Sequence, residues 1–322
     1  MYNSRISGLG MYVPENIVTN DDLSKIMDTS NEWIIERTGI KERRHIKKGD
    51  GNSTVVMGVK AAKIAIERAS IDKDDIDLIL FATLSPDYYF PGSGVLVQEL
   101  LEIPTCPAMD IRNQCSGFIY AISVGVAMLR DGYGKKCLVI GADSMSKLLD
   151  WEDRSTAVLF GDGAGAVVLE AYSCSGEKED RGILSVDLNS DGNYKDILHV
   201  DGGVASKTTG YLRMEGREVF KHAVEKLART SEKAMAKAGV KSDDVDWVVP
   251  HQANIRIIQG TARKMGIPDE KVIKTVQDHG NTSAASIPLA LSVASEAGQI
   301  VKNDLIVTEA IGGGLAWGAI VL

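Results

Sequence analysis

An internal repeat constrains the fold of this chain more than any other feature of its sequence. Asp-Asp-Ile-Asp ends at Asp77, and Asp-Asp-Val-Asp ends at Asp246, 169 residues later. The same offset aligns Ile122-Ser-Val with Leu291-Ser-Val. Separate matches at one offset favour duplication of a supersecondary unit over chance similarity between generic helix–strand segments.

Each half repeats the same order of predicted elements: a helix, an acidic turn, a strand, a second helix and a second strand. Strands alternating with helices indicate an α/β protein, and the all-apolar segment Leu138-Val-Ile is typical of a strand buried on both faces. We expect an N-terminal half, residues 1–172, and a C-terminal half, residues 173–322, related by a pseudo-twofold axis. Because ligands of such sheets bind beyond the carboxyl ends of the strands, both halves should contribute to one site.

The composition of the 322 residues excludes several classes of protein. With 44% hydrophobic and 25% charged residues, the chain has the apolar content of a folded domain. It has no run of about 18 apolar residues, so no membrane span is expected, and residues 1–14 lack the pattern of a secretory signal. The net charge of -8 disfavours nucleic acid as a partner. We therefore expect a cytoplasmic protein.

The cysteines give no sign of a metal site or a disulfide framework. The chain has four of them and no Cys-x-x-Cys pair: Cys106, Cys115, Cys137 and Cys174. Thiolate ligation of zinc or of an iron–sulfur cluster is therefore not expected. Disulfides are not expected either, because residues 1–14 lack the pattern of a secretion signal.

Cys115 is expected at a turn from a strand, residues 108–111, to an apolar helix, residues 117–130. The positive end of a helix dipole stabilises a thiolate and lowers the pKa of a thiol. Because thiolate is the nucleophilic form, Cys115 is the candidate to accept an acyl group. The alternative from position alone is a small buried apolar residue.

Two polar residues of the second half are candidates to act with Cys115. His251 follows a predicted strand and precedes a predicted helix, which puts it at the carboxyl end of the strand; a histidine packed in the core is the alternative. Asn281 precedes a predicted helix, residues 282–297, where it could serve only as an N-cap. The offset of 169 pairs Cys115 with Ala284, so the duplication would bring Asn281 close to the thiol.

The glycine run Gly312-Gly-Gly lies between two predicted strands. Glycines permit close backbone approach and leave N–H groups free, as an oxyanion hole requires, although a tight hairpin would use the same residues. Phe160-Gly-Asp-Gly-Ala-Gly does not open a helix and is therefore not a dinucleotide fingerprint. No Walker A, His-Glu-x-x-His or EF-hand sequence occurs.

Seven motifs occur in order along the chain: Asp28-Thr-Ser-Asn-Glu-Trp, Arg37-Thr-Gly-Ile, Cys115-Ser-Gly-Phe, Phe160-Gly-Asp-Gly-Ala-Gly, Val249-Pro-His-Gln-Ala-Asn, His279-Gly-Asn-Thr-Ser-Ala-Ala-Ser and Gly312-Gly-Gly-Leu-Ala-Trp. Together they resemble the 3-oxoacyl-[acyl-carrier-protein] synthase III family, the chain-starting ketosynthases of the thiolase superfamily. The resemblance covers essentially the whole chain. It implies a homodimer of thiolase-like α-β-α-β-α subunits with five layers, which agrees with the duplication.

The resemblance also implies roles for individual residues. Cys115, His251 and Asn281 would form a catalytic triad, and the backbone N–H groups of Cys115 and Gly314 would form an oxyanion hole. A tunnel for coenzyme A would be lined by Trp33, Arg37, Arg154, Gly216 and Asn254. The coenzyme A thioester would be a substrate and not a bound cofactor.

Docking of an acyl carrier protein is implied at Gln252, Ala253, Asn254, Ile255 and Arg256. The sequence gives an independent reason, because no acidic residue occurs from His251 to Pro268 whereas Arg256, Arg263 and Lys264 are basic. An acidic carrier protein could dock there by charge complementarity. An ordinary solvated helix face is the alternative.

The implied activity is a decarboxylating Claisen condensation. An acyl-CoA starter, for which acetyl-CoA is expected, would acylate the cysteine and then react with malonyl-ACP to give 3-oxoacyl-ACP, initiating fatty acid synthesis. Two departures leave the starter open: Arg112-Asn-Gln precedes the cysteine where small residues are common, and Leu84-Ser-Pro-Asp is similar to specialised synthases. Phe90 matches a position at the acyl pocket across the dimer interface, and its size favours a short starter.

Three other functions are alternatives to this one. The first is a specialised synthase III-like enzyme that uses another starter in secondary metabolism. The second is a thiolase or an HMG-CoA synthase, of which a thiolase would show a second active-site cysteine. The third is a non-catalytic module that binds coenzyme A or carrier protein, which the intact set of Cys115, His251 and Asn281 disfavours.

Overall fold

The computed structural model describes residues 2–174 and 182–322. Within these ranges the strands are β1 (Tyr2–Tyr12), β2 (Ile17–Thr19), β3 (Glu42–Arg44), β4 (Leu78–Ala82), β5 (Ala108–Ile111), β6 (Lys136–Ser144), β7 (Asp162–Ser173), β8 (Ser185–Ser190), β9 (Leu198–Val200), β10 (Leu212–Met214), β11 (Trp247–Pro250), β12 (Ile306–Gly312) and β13 (Ala316–Val321). The α-helices are α1 (Asn20–Ser24), α2 (Asn31–Thr38), α3 (Thr54–Arg68), α4 (Ser93–Leu100), α5 (Gly117–Arg130), α6 (Arg154–Ala157), α7 (Gly216–Ala238), α8 (Ile255–Lys264), α9 (Val276–His279) and α10 (Ser286–Glu296).

The two large sheets share one topology. The first has the order β1-β7-β6-β4-β5. In it, β7 is antiparallel to its two neighbouring strands, and β4 is parallel to its two neighbouring strands. The second has the order β8-β13-β12-β11, in which β13 is antiparallel to both neighbours and β11 is parallel to β12. A parallel bridge between Val248 and Val272 stands where β5 stands in the first sheet. The shared order and sense confirm the duplication; the division of the chain at residue 172 stays a prediction.

Helices cover both faces of each sheet and give five layers. The central helices α5 and α10 share one core with both sheets, for example Ile122 and Ile287 with Leu80 and Val249. Helix α3 covers the outer face of the first sheet, and α7 with α8 covers the outer face of the second. The layers alternate α-β-α-β-α, which confirms the fold that the motifs implied.

The repeat extends to the backbone of the turns before the central helices. Gln114 and Ser283, which are 169 residues apart, have φ angles of +48° and +52°. Each opens a single 3-10 turn, after which α5 begins at Gly117 and α10 begins at Ser286. The predicted helix 117–130 is therefore confirmed. The second helix begins four residues later than the predicted residue 282, because the 3-10 turn precedes it.

Among the described residues, no helix combines the length and the apolar character needed to cross a membrane.

Candidate active site

One cavity of about 1250 Å³ opens between the two halves, and the three predicted catalytic side chains all line it: Cys115, His251 and Asn281. Other predicted residues on its wall are Trp33, Arg37, Gly216, Ala253, Asn254, Arg256 and Gly314. Four predicted residues are not on the wall: Phe90, Arg154, Gln252 and Ile255. The strand ends of both halves thus form one site, as the pseudo-twofold axis predicted.

Cys115 lies in the turn between β5 and α5, and only 7% of it is exposed. The hydroxyl of Ser283, from the equivalent turn of the second half, donates a hydrogen bond to its Sγ at 3.5 Å. The site therefore joins the two turns that the repeat relates.

The pKa of the Cys115 thiol differs in direction from the prediction. Burial raises this pKa to about 12 against the lowering effect of the Ser283 hydroxyl, and the Asp143 carboxyl adds to the rise. The expectation of a lowered pKa in the free enzyme is wrong, because loss of water around the thiolate outweighs the field of the helix terminus. Cys115 therefore rests as a thiol and loses its proton only as it reacts.

Asp143, which the sequence reasoning missed, is a fully buried carboxylate next to these turns. Its Oδ1 accepts hydrogen bonds from the Thr83 hydroxyl at 2.9 Å and from both N–H and hydroxyl groups of Ser85, at 3.1 and 2.8 Å. Its Oδ2 accepts one from the N–H of Ala284 at 3.2 Å. Burial raises the pKa of Asp143, and these donors, with the Ser283 hydroxyl, oppose the rise. This carboxyl thus ties the cavity loop of the first half to the turn that contacts Cys115.

His251 follows β11 directly, as predicted, and is 4% exposed. Its backbone N–H donates to the carbonyl of Glu309 on β12 at 2.8 Å. Its ring Nδ1 lies 2.6 Å from the hydroxyl of Ser286. Burial lowers the pKa of His251 to about 3, so the imidazole is neutral near pH 7.

The side chain of Asn281 has a defined orientation. Two backbone hydrogen bonds hold this residue to the segment before β7. The N–H of Asn281 donates to the carbonyl of Leu159 at 2.9 Å, and the N–H of Gly161 donates to the carbonyl of Asn281 at 3.0 Å. Its Oδ1 accepts from the N–H of Ser283 at 2.9 Å. Because the oxygen is occupied by the turn, the Nδ2 amide is the group left to donate into the cavity. Asn281 therefore caps a turn, as the alternative supposed, and still offers a donor.

The glycine run joins β12 to β13 and closes against Cys115. A Cβ on Gly312 would lie 2.8 Å from the backbone nitrogen of Cys115, so only glycine fits there. Gly313 and Gly314 line the cavity. Among the described residues, no protein acceptor takes the N–H of Gly314. A free N–H is compatible with the oxyanion hole, which stays a prediction. The same residues also make the tight connection between β12 and β13 that was the alternative.

Trp33 and two arginines form a cluster at the cavity. The guanidinium carbons of Arg37 and Arg154 lie 5.8 and 5.1 Å from the centre of the Trp33 ring. Arg154 also pairs with the Asp28 carboxylate at 3.3 Å. Arg154 thus belongs to the cluster through the indole ring although it is not itself on the cavity wall.

The predicted docking segment divides into exposed and buried residues. Arg256 is exposed and donates to the carbonyl of Glu36 at 2.7 Å, and Asn254 caps α8 by accepting from the N–H of Arg256 at 2.8 Å. Gln252 is only 1% exposed, and its side chain bonds to the backbone of Pro250 and Thr275. The prediction that Gln252 lies on a docking surface is therefore wrong, because its amide fixes the chain between β11 and α9.

Two other predicted residues lie apart from the cavity. Ile255 is half-buried against Gly39. A Cβ added to Gly39 would lie 2.7 Å from the Cβ of Ile255, so the two residues are packed closely. Phe90 is 86% exposed. Its proposed place in an acyl pocket depends on a second subunit and is not formed within one chain.

Sequence reasoning missed several cavity residues: Asp87, Tyr88, Tyr89, Lys195, His199, Arg217 and Phe220. Asp87, Tyr88 and Tyr89 lie in a loop, whose path the hydrophobic pattern does not determine. The other four lie in a 3-10 helix, in β9 and in α7. Ser283 and Ser286 were missed although both belong to the quoted His279 motif. Ser283 could have been found as the repeat counterpart of Gln114, next to the cysteine.

The comparisons with known proteins agree with this geometry. Family models described as 3-oxoacyl-[acyl-carrier-protein (ACP)] synthase III and as its C-terminal part match residues 109–192 and 235–322. The beta-ketoacyl-[acyl-carrier-protein] synthase III of Ruegeria pomeroyi is 57% identical over 317 residues, which cover 98% of each chain. The chain belongs to the 3-oxoacyl-[acyl-carrier-protein] synthase III family. It is an acyl-transferring condensing enzyme of fatty acid synthesis, as the motifs implied.

Solved structures support the same family. The 3-oxoacyl-[acyl-carrier-protein] synthase III of Aquifex aeolicus VF5 matches with a TM-score of 0.92 and 47% identity, over 99% of each chain. The priming beta-ketosynthase of the R1128 polyketide biosynthetic pathway also matches with a TM-score of 0.92, at 31% identity, over 99% of this chain and 96% of its own. The thiolase-like fold of this synthase III is thus confirmed.

Within the part of the chain that the structure describes, no three side chains of His, Cys, Asp or Glu are grouped so as to hold a metal ion.

Proposed function

We propose that this synthase III condenses an acyl-CoA starter with malonyl-ACP and releases 3-oxoacyl-ACP, coenzyme A and carbon dioxide. One observation carries the proposal: the Cys115 thiol of the first half shares a cavity with two donors of the second half, His251 and Asn281. A nucleophile with donors for an oxyanion is the set that acyl transfer and Claisen chemistry need. The first half is taken as residues 1–172 and the second as residues 173–322.

In the acylation step, Sγ of Cys115 bonds to the carbonyl carbon of the starter thioester. The bond between that carbon and the sulfur of coenzyme A breaks, and the thiol proton leaves on the released coenzyme A. The N-terminus of α5 and the Ser283 hydroxyl stabilise negative charge on Sγ during the attack. The N–H groups of Cys115 and Gly314 stabilise the oxyanion of the tetrahedral intermediate.

In the condensation step, the bond between the malonyl methylene and its carboxylate breaks, and carbon dioxide leaves. The electron pair becomes an enolate, whose oxygen accepts hydrogen bonds from His251 Nε2–H and Asn281 Nδ2–H. The carbanion then attacks the acyl carbon on Cys115. Sγ leaves as a thiolate with the electron pair of the thioester bond and takes a proton from solvent, the one proton that the condensation consumes.

Coenzyme A would enter along the wall that carries the predicted binding residues. Trp33 offers a flat aromatic face near Arg37 and Arg154, which suits a purine base and its phosphates. Gly216 and Asn254 lie on the same wall, where they would border the pantetheine arm. These contacts fit a thioester substrate that binds and leaves in each cycle.

Docking of the carrier protein is assigned to the exposed basic residues of α8 and not to Gln252. Arg256, Arg263 and Lys264 are all exposed, and Arg256 lines the cavity together with Ala253 and Asn254. Complementary charge would orient an acidic carrier protein so that its thioester reaches the opening.

We infer a homodimer that forms in the cytoplasm and is built across β5. This strand is one edge of the first sheet. Tyr88, Tyr89 and Phe90 are exposed just before Ser93 and Gly94, whose N–H groups donate to Asp110 of this strand. An edge strand beside exposed aromatic groups favours pairing with a second copy. Phe90 would then reach the partner's acyl pocket, and its bulk favours acetyl as the starter.

The specialised alternative has one observation in its favour, the departure Arg112-Asn-Gln before the cysteine. Arg112 lines the cavity and is exposed there. The identity to curated synthase III proteins, 57% against 31% for the polyketide ketosynthase, favours fatty acid synthesis.

The test is the mass of the intact protein after mixing with acetyl-CoA, followed by addition of malonyl-ACP. We expect one acetyl group on the wild type and its loss as 3-oxobutanoyl-ACP appears. Cys115→Ala should take up no acetyl group, whereas Cys106→Ala, Cys137→Ala and Cys174→Ala should. Acetylation that persists on Cys115→Ala would overturn the assignment. A panel of acyl-CoA starters would then decide between acetyl and the alternative.

A further inference from the structure

His251 and Ser286 form a buried pair. The proposed reaction uses the histidine as a donor but assigns no role to the serine. Nδ1 of His251 lies 2.6 Å from Oγ of Ser286, the first residue of α10. Only 4% of His251 and 1% of Ser286 is exposed. Among the described residues, the Ser286 hydroxyl has no second hydrogen-bond partner, so donation to Nδ1 is the arrangement that leaves its buried proton paired.

A neutral imidazole carries one proton on one of its two nitrogens. If Nδ1 accepts a hydrogen bond from the Ser286 hydroxyl, Nδ1 carries no proton, and the single ring proton must be on Nε2. No described protein group takes a hydrogen bond from Nε2, and His251 lines the cavity. The pair therefore directs an N–H donor toward the place where substrate binds.

The repeat shows that packing alone does not require this hydroxyl. At an offset of 169, Ala82 is the counterpart of His251 and Gly117 is the counterpart of Ser286. A Cβ added to Gly117 would lie 3.3 Å from the Cβ of Ala82, so the same two positions are neighbours in the first half, where neither residue has a polar side chain. The polar pair occurs only in the half that supplies the donor.

We propose that Ser286 is a positioning residue that holds His251 in the Nε2–H tautomer. The tautomer follows from the close pair once the buried hydroxyl proton is assigned to Nδ1. Its use, donation to the enolate oxygen of a malonyl thioester, rests on the proposed function.

The experiment uses full-length protein labelled with ¹⁵N in its histidines, and two-bond ¹H–¹⁵N correlation spectra, which report the tautomer of each ring. The signals of His251 are assigned by their loss in His251→Gln. We expect the Nε2–H pattern in the wild type, a shift toward Nδ1–H in Ser286→Ala, and restoration in Ser286→Thr, which keeps the hydroxyl. Ser292→Ala, a buried serine of the same helix that bonds to Arg68 and Glu296, should leave the pattern unchanged.

The same variants are assayed for both half-reactions. Ser286→Ala should lower decarboxylation of malonyl thioester roughly five- to tenfold, the effect of one hydrogen bond, while acetylation of Cys115 persists. Ser286→Gly, which has the residue of the first half, is the second variant that removes the hydroxyl. An unchanged Nε2–H pattern in both, or an Nδ1–H pattern in the wild type, would overturn the proposal. A shifted tautomer in an enzyme that is never acetylated would instead overturn the proposed function.

Discussion

The Ser283 hydroxyl donates to the Cys115 sulfur at 3.5 Å, across two turns that the internal repeat relates. Asn281 Oδ1 accepts from the N–H of the same serine at 2.9 Å. Three residues after that serine, Ser286 bonds to His251. The short segment from Asn281 to Ser286 thus contacts or contains all three members of the proposed triad. A single stretch of the second half sets the geometry around a nucleophile of the first.

Removal of the Ser283 hydroxyl tests this contact. Because that hydroxyl lowers the pKa of the Cys115 thiol, Ser283→Ala should raise it further. Alkylation of Cys115 by iodoacetamide at pH 8, followed by peptide mass, should slow roughly three- to tenfold, the effect of one hydrogen bond to a charged group. Ser292→Ala serves as the control. Faster alkylation in Ser283→Ala would show that the hydroxyl does not stabilise the thiolate.

Charge reversal at Arg256 tests the docking surface. Arg256→Glu should lower kcat/KM for malonyl-ACP roughly tenfold at low salt, and less at high salt, because an exposed charge acts mainly on association. Transfer from acetyl-CoA to Cys115 should be nearly unchanged. Lys302→Glu makes the same change of charge at another exposed position. Equal loss of both activities in Arg256→Glu would assign Arg256 to the fold or the tunnel instead.

Burial of neutral His251 predicts a dependence of stability on pH. Burial lowers the pKa of this histidine from 6.5 to about 3. Below pH 6.5 the unfolded chain binds a proton that the folded chain excludes, so stability is present above 6.5 and falls as the pH decreases toward 3. Between pH 7 and pH 5 the loss attributable to His251 is about 2 kcal/mol.

Urea unfolding at pH 7 and pH 5 measures this contribution. The free energy of unfolding of His251→Gln should fall by about 2 kcal/mol less than that of the wild type over this interval. The other buried histidines are present in both proteins, so their contributions cancel in the comparison. Equal falls would mean that His251 takes up a proton in the folded enzyme.

The repeat carried most of the fold prediction, because a duplicated pattern of apolar strands and helices is written in the sequence itself. The turn at Cys115 and helix α5 followed from that pattern. The direction of the pKa shift at the Cys115 thiol did not follow from it, because that direction depends on how completely the tertiary structure removes water from the thiol. Gln252 was misplaced for a similar reason: the first turn after a strand can face solvent or the core, and only the path of the segment around Thr275 decides. The buried Asp143 gave no local signal, since its partners come from both halves.

The last prediction separates the two half-reactions. Asn281 and His251 are expected to act in decarboxylation and condensation, where the enolate oxygen needs donors, more than in acylation. Loss of one preorganised donor costs about 2.7–4 kcal/mol, roughly 100- to 1000-fold in rate. Asn281→Ala should therefore still become acetylated at Cys115, yet lose most release of carbon dioxide from malonyl thioester. His251→Ala should behave similarly.

Asn281→Asp is the matched control, because a carboxylate oxygen can still accept from the N–H of Ser283 while the Nδ2 donor is gone. If the amide acts as a donor, Asn281→Asp should lose decarboxylation as severely as Asn281→Ala. The measurement pairs acyl-enzyme mass with carbon dioxide release for each variant. Normal decarboxylation by Asn281→Asp would return Asn281 to the role of a residue that only holds its turn, and the enolate donor would have to be sought in His251 alone.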